Sequence, residues 1–167
     1  MTGALIVTAE IAPADFAWLD RLRRANYPLE RNQLSAHLTM FHALPPSAEG
    51  EVRRSLARLA VEAPPRASVE GVMNLGGAVA FRIVSTDLDA MRNELAANFG
   101  GLLSAQGAGW RPHVTIQNKV SVSIARKLLN HLEREFRPKP LGIVGLGLHR
   151  YLGGPWERVE THSFRGR

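Results

Sequence analysis

The residues best suited to chemistry in this sequence lie in two H-x-T triplets, at residues 37–39 and 113–115. An apolar residue follows each triplet, Met40 in the first case and Ile116 in the second. Six His and six Thr in 167 residues would give only about 0.2 such triplets by chance, which limits the false-positive risk of the motif. The pair therefore indicates a shared role for both stretches.

Residues i and i+2 of a β-strand point to the same face. His37 and Thr39 would share one face of their strand, and His113 and Thr115 would share one face of theirs. Each strand would then bury its intervening apolar residues and present an imidazole and a hydroxyl on the other face. If the two strands face each other, two imidazoles flank one cavity.

Two imidazoles are suited to in-line cleavage of a phosphodiester. One neutral ring removes a proton from water or a hydroxyl, and the other, as imidazolium, protonates the leaving oxygen. The hydroxyls of Thr39 and Thr115 would bind the non-bridging phosphate oxygens. The sequence predicts His37 and His113 as the catalytic residues and leaves open which of them is the acid.

Neighbouring residues supply secondary candidates for substrate contact. The alternation that starts at His113 would place Gln117 and Lys119 on the same face of the strand as His113. His42 is five residues from His37, so a regular strand would turn it to the opposite face, where a strand-end or packing role is favoured over a place in the groove. Tyr151, with Arg150 and Trp156, would either reach the groove, stacking a base or binding phosphate, or pack within its own hairpin.

A metal site is the weaker interpretation of the histidines. His37, His42 and His113 are potential ligands, but no carboxylate lies near either motif, and zinc sites need further ligands in consistent geometry. We expect structural or solvated roles for His131, His149 and His162. The sequence therefore predicts no metal and no cofactor.

The motifs lie within a pattern of short strands and amphipathic helices. Strands are predicted at 4–11, 37–44, 66–75, 78–85, 113–120, 141–152 and 156–164. Helices are predicted after Pro13, Ser47, Asp87 and either Ser121 or Ser123, and the buried faces would include Val52, Leu56 and Leu59, then Leu88, Met91, Leu95 and Phe99, then Ile124, Leu128, Leu132 and Phe136. Runs of helix and hairpin-linked strands favour an α+β fold.

A strand–helix–strand–helix unit occurs twice. The two motif histidines are 76 residues apart, and the helix at 49–60 shifted by the same interval falls on the helix at 125–136. This repeat predicts two pseudo-symmetric lobes of antiparallel strands with outer helices, facing each other across a central groove. We expect residues 1–167 to form a single bilobal domain.

Composition narrows the class of protein. The chain has no cysteine and a net charge of +6. Disulfides and thiolate chemistry are therefore excluded, and an anionic partner such as nucleic acid is favoured. The first residues lack the features of a signal peptide, and no apolar stretch is long enough for a membrane span. We expect a cytoplasmic monomer without membrane association.

The paired His-apolar-Thr-apolar motifs on two similar lobes resemble those of the 2H phosphoesterase superfamily, which includes 2′-5′ RNA ligases and RNA 2′,3′-cyclic phosphodiesterases. The stretch RPHVTIQNK, residues 111–119, is especially similar to the second motif of its bacterial branch. The resemblance implies a bilobal α+β fold and metal-independent catalysis by His37, Thr39, His113 and Thr115. The implied substrate is RNA or a nucleotide with a cyclic phosphate or a 2′-5′ linkage.

Two other functions remain open at this point. The first is a non-catalytic RNA- or phosphate-binding module, with which the basic charge is equally compatible. The second is a hydrolase of a small non-RNA phosphodiester, such as a cyclic nucleotide or a metabolite. Specificity would depend on groove-lining residues that periodicity does not identify.

Overall fold

A computed structural model describes residues 3–100 and 110–167. Within these ranges the chain forms two four-stranded sheets and four α-helices, so the predicted α+β class is confirmed. The strands are β1 (Leu5–Ile11), β2 (Leu38–Leu44), β3 (Ala67–Asn74), β4 (Val79–Val84), β5 (His113–Gln117), β6 (Lys139–Leu141), β7 (Ile143–Tyr151) and β8 (Trp156–Ser163). The helices are α1 (Pro13–Asn26), α2 (Glu49–Leu59), α3 (Thr86–Phe99) and α4 (Val122–Glu135).

The two sheets have matching strand orders, β2-β1-β7-β8 and β5-β4-β3-β6, and every pairing is antiparallel. In each sheet a strand that contains H-x-T residues, β2 or β5, lies at an edge. β2 pairs with β1 and β5 pairs with β4, and in each case one α-helix lies between the two paired strands in the sequence. The predicted repeat is thus confirmed, with β1-α1-β2-α2 corresponding to β4-α3-β5-α4.

Alternation along the strands separates a core face from a groove face. Leu38 and Met40 of β2, and Val114 and Ile116 of β5, are at most 1% exposed, whereas the threonine between each pair is partly exposed. Burying each such side chain contributes about 1.5–3 kcal/mol. The buried apolar residues of both sheets and all four helices form one continuous cluster, which fixes the two motif strands relative to each other.

Two helix starts and one core position differ from prediction. Ser47 lies in a 3-10 turn after Pro45, and Ala48 takes the N-cap position of α2 without a side-chain bond. Ser85, not Asp87, caps α3 by accepting a hydrogen bond from the Leu88 amide. Ile124 is 50% exposed, because it lies in the first turn of α4 and Ala125 takes the inward position. The short strand β6 was also not predicted.

Two buried arginines connect the repeats. Arg23 of α1 is 3% exposed and donates hydrogen bonds to Asn32 Oδ1, to the Leu34 carbonyl and, at 2.9 Å, to the Thr115 carbonyl in β5. Arg92 of α3 is 4% exposed and donates at 3.0 Å to the Met40 carbonyl in β2. Each guanidinium therefore binds the motif strand of the other repeat.

We expect Arg23→Met to destabilise the fold by about 2–4 kcal/mol, because it leaves buried oxygens without their donors. Equilibrium urea unfolding of both proteins measures the difference in free energy of unfolding. Arg21→Met is the matched control, since Arg21 lies on the same helix and is exposed, and its effect should stay within about 0.5 kcal/mol. Equal effects of the two substitutions would contradict a structural role for the Arg23 hydrogen bonds.

Candidate active site

The two motif histidines have the same local geometry. His37 Nδ1 lies 2.7 Å from the Ser35 carbonyl oxygen, and His113 Nδ1 lies 2.6 Å from the Arg111 carbonyl oxygen. A carbonyl can only accept, so each Nδ1 carries a hydrogen and donates it to the residue two positions earlier. This bond sets the ring orientation and leaves Nε2 as the atom that gains and loses a proton in each ring.

The motif threonines lie on half-buried positions of the same strand faces, while the apolar residues beside them are buried. Their backbone is fixed from the opposite repeat. Trp110 Nε1 donates to the Thr39 carbonyl at 3.1 Å, and Arg23 Nη1 donates to the Thr115 carbonyl at 2.9 Å. The carbonyls hold the strands, and the hydroxyls are on the side chains that alternate toward the groove.

His42 lies close enough to both motifs to interact with them electrostatically. Burial chiefly lowers the pKa of His37, and the positive charge of His42 adds to the effect. Burial, followed by the charges of His113 and Arg92, lowers the pKa of His42 itself. β2 and β5 also pack against each other. The three histidines therefore form one cluster, to which both repeats contribute.

The expected orientation of His42, opposite to that of His37, is wrong. Thr39 pairs with Thr8 and Phe41 pairs with Val7, so one step along β1 spans two steps along β2. The extra residue is a β-bulge, which inverts the alternation. Met40 and Phe41 are consequently both buried, and His42 is exposed within electrostatic reach of His37 and His113.

The environment of His37 disfavours its charged form. Burial is the main cause that lowers its pKa to about 4, and the charges of Arg23, His149 and His42 act in the same direction. The hydrogen bond to the Ser35 carbonyl opposes them but is outweighed. His37 is therefore neutral near pH 7 and can accept a proton at Nε2.

Gln117 and Lys119 are placed differently from the motif residues. Gln117 is 5% exposed, and its Nε2 donates to the Asn26 carbonyl at 3.1 Å, so its amide links β5 to α1. Lys119 follows the end of β5 and has a φ of 60°, so the strand alternation does not extend to it. It is exposed, beyond the strand that carries His113.

Residues of the β7–β8 hairpin contact either neighbouring parts of the fold or the motif histidine His37. Arg150 pairs with Glu49 at 2.7 Å and with Glu157 at 3.4 Å, which ties the hairpin to α2. Tyr151 exchanges backbone hydrogen bonds with Gly3 and Ala4 at the end of β7. Trp156, by contrast, contacts the ring of His37 edge-on, with 4.8 Å between ring centroids.

A cavity of about 520 Å³ adjoins His37 and was not predicted from the sequence. Its wall includes Thr8 and His149, which lie in neighbouring strands and share a buried hydrogen bond of 2.9 Å between Oγ1 and Nε2. Other wall residues are Glu10, Ile11, Phe16, Leu34, Trp156, Arg158 and Thr161. Strand alternation could have identified Thr8 and Glu10 as a polar face, but not the strands that complete it.

No group of three or more His, Asp or Glu suited to hold a metal ion occurs within residues 3–100 and 110–167. In the same described part of the chain, no helix has the length and apolar character needed to cross a membrane.

Comparison with known proteins finds one family. The model of the 2′-5′ RNA ligase superfamily matches residues 11–155. No curated protein matches the sequence. Among the solved structures that share the fold is TT0787 of Thermus thermophilus, with a TM-score of 0.67 and 18% identity over 98% of this chain and 99% of that chain. Others are a phosphoesterase (TM-score 0.66, 11% identity, 97% of this chain and 98% of that chain) and Escherichia coli LigT complexed with 3′-AMP (TM-score 0.64, 12% identity, 98% and 99%).

We expect the Cε1–H resonance of His37 to titrate with a midpoint near pH 4, because burial and neighbouring cations disfavour its imidazolium. NMR of histidine-labelled protein measures the midpoint, and His37→Gln identifies the resonance. His131, which is exposed on α4, serves as the internal reference. A midpoint for His37 at or above 6.5 would contradict the described environment.

Proposed function

The chain belongs to the 2′-5′ RNA ligase superfamily, and we propose that it is a metal-independent phosphodiesterase acting on RNA or nucleotides. It opens 2′,3′-cyclic phosphates, or cleaves and joins 2′-5′ linkages, by two-histidine acid–base catalysis. Membership of the superfamily supports phosphodiester chemistry. The observation that carries the specific proposal is the shared geometry of His37 and His113, in which each Nδ1 donates to a carbonyl.

His37 acts as the base and His113 as the acid. The lowered pKa of His37 supports this order, because the base must be neutral when substrate binds. His37 Nε2 takes a proton from the attacking water or hydroxyl, while the His113 imidazolium donates one to the leaving oxygen. The protons move between the two rings and the substrate, so the mechanism has no step that requires a metal ion.

Thr39 and Thr115 donate their hydroxyl hydrogens to the non-bridging phosphate oxygens. These bonds strengthen as negative charge accumulates on the oxygens in the transition state. The backbone hydrogen bonds that each threonine carbonyl receives support this role, since a donor contributes most when its position is fixed before the reaction.

The remaining predicted contacts have unequal support. His42 is exposed beside both motif histidines, which favours a substrate contact. The amide of Gln117 is engaged by α1, which favours a structural role. Contacts of Lys119 and Tyr151 with substrate stay predictions, as do the single domain, the monomeric state and the cytoplasmic location.

We expect His37→Ala and His113→Ala each to lower kcat on a nucleoside 2′,3′-cyclic phosphate by at least about 10²-fold, because each removes one proton-transfer group. Product formation is followed by chromatography, with circular dichroism as the check of folding. His131→Ala, on the exposed face of α4, is the matched control and should retain activity. Substrate binding without product in the unmodified protein would instead support a binding module.

We expect kcat/KM for the cyclic phosphate to rise with pH through a midpoint near 4 and to fall at higher pH. The rise follows deprotonation of His37, and the fall reflects the need for a protonated general acid. Initial rates between pH 3.5 and 9.5, with a chelator present throughout, provide the profile. A rise centred near 6.5, or loss of activity in chelator, would contradict the assigned mechanism.

A further inference from the structure

We propose that His42 is a third phosphate-binding group of the site, and that it makes the enzyme bind a phosphomonoester more tightly than a phosphodiester. This role rests on the function proposed above and makes the substrate contact of His42 specific. It depends on the charge of the ligand. A phosphodiester carries one negative charge, whereas a phosphomonoester carries about 1.5 to 2 near pH 7.

A duplicated irregularity of the motif strands fixes the position of His42. In the first repeat, one step along β1 from Thr8 to Val7 corresponds to two steps along β2. In the second repeat, one step along β4 from Ala80 to Val79 corresponds to two steps along β5. A β-bulge therefore follows the threonine of each motif, and a bulge redirects the side chains that come after it.

The backbone that follows each bulge is also alike in the two repeats. Within the described part of the chain, the non-glycine residues with positive φ are Ala43, at 47°, and Lys119, at 60°. They are 76 residues apart, as are the two motif histidines. This left-handed conformation is unfavourable for a residue with a β-carbon, so the packing of each repeat imposes it. The preceding residues, His42 and Asn118, consequently occupy equivalent positions.

These equivalent positions carry different chemistry. The two residues that follow Thr39 are buried, and His42 beyond them is exposed. The two residues that follow Thr115 are likewise buried, and Asn118 beyond them is partly exposed. Asn118 Oδ1 accepts a hydrogen bond from the Lys119 amide at 2.8 Å. One repeat thus presents a titratable imidazole where the other presents a neutral amide that bonds within its own turn.

The surroundings of His42 favour its neutral form until an anion binds. Burial, then the charges of His113 on β5 and Arg92 on α3, lower its pKa below the ordinary value, and it also interacts with His37 on its own strand. His42 is therefore neutral near pH 7 in the free protein. A negative charge placed among these groups favours the imidazolium. His42 accordingly takes up a proton from solvent when a phosphate enters the groove.

The count of charges in the site explains why the monoester gains more. In the proposed mechanism His113 is an imidazolium and His37 is neutral, so the motif histidines supply one positive charge. That charge matches the single negative charge of a diester. The second charge of a monoester is left without a counterpart in the motifs, and protonated His42 provides one through a charge-assisted hydrogen bond.

The test measures binding of two unreactive probes, a 2′-deoxynucleoside 3′-monophosphate and its methyl ester, by isothermal titration calorimetry at pH 7. Neither has the 2′-hydroxyl needed for ring closure. We expect the unmodified protein to prefer the monoester, and His42→Asn to reduce the ratio of the two affinities at least about fivefold. His131→Asn makes the same change on the exposed face of α4 and is the matched control, which should leave the ratio unchanged.

Proton uptake gives a second readout that a merely structural role would not move. Titrations in two buffers of different ionisation enthalpy measure the protons taken up when the monoester binds. We expect this uptake to be smaller in His42→Asn than in the unmodified protein or in His131→Asn, because asparagine does not titrate. Circular dichroism checks that the three proteins have the same fold.

The outcomes separate the role of His42 from the function on which it rests. An unchanged affinity ratio with unchanged proton uptake in His42→Asn would overturn this role and leave the two-histidine mechanism intact. An equal loss of affinity for both probes would also overturn it, because such a contact does not respond to charge. The expected binding results, without turnover of a cyclic phosphate by the unmodified protein, would support the phosphate-binding role and overturn the proposed function.

Discussion

The arrangement of the site depends on which groups donate hydrogen bonds to the backbone carbonyls of its two edge strands. A strand at the edge of a sheet has peptide groups without partners in that sheet, and both motif strands occupy edges. Arg23 and Arg92 donate to carbonyls of β5 and β2, each from a helix of the other repeat. Burial lowers the pKa of both guanidinium groups. The two strands are therefore joined through cations whose charged form is disfavoured by loss of hydration. Each motif is consequently held in place only when both repeats are folded together.

A nearly symmetric scaffold surrounds two histidines with different electrostatic environments. The repeats give His37 and His113 the same Nδ1 contact, which is a property of the local backbone. Arg23, His149 and His42 act on His37 as positive charges, and His149 lies on β7, outside the repeated unit. Acid–base catalysis needs one protonated and one neutral ring. Residues outside the H-x-T motifs can therefore give the two rings different electrostatic surroundings, although the repeat gives both the same Nδ1 contact.

Local regularity decided how much the sequence could predict. β5 is regular from His113 to Thr115, so alternation placed these two residues on one face and buried Val114 as predicted. A register shift before Gln117 then buries both Ile116 and Gln117, so the alternation did not extend to Gln117. The same argument failed for His42, because the bulge at Met40 adds a residue that no periodicity reveals. The cavity could not be predicted from the sequence, because its wall depends on the pairing of β1, which contains Thr8, with β7, which contains His149. Such pairing is set by tertiary packing of the whole sheet.

The strand orders also have a consequence for the course of folding. The second sheet uses only strands from the continuous segment 67–141, whereas the first joins β1 and β2 to β7 and β8. Pairings between distant segments form slowly, because closure of a long loop must precede them. Ribosomal synthesis delivers β8 after the other seven strands, and β8 contains Trp156, which contacts His37. The nascent chain can thus complete one half of the groove while the other still lacks its outer strands, so the groove as a whole is assembled late in the maturation of the protein.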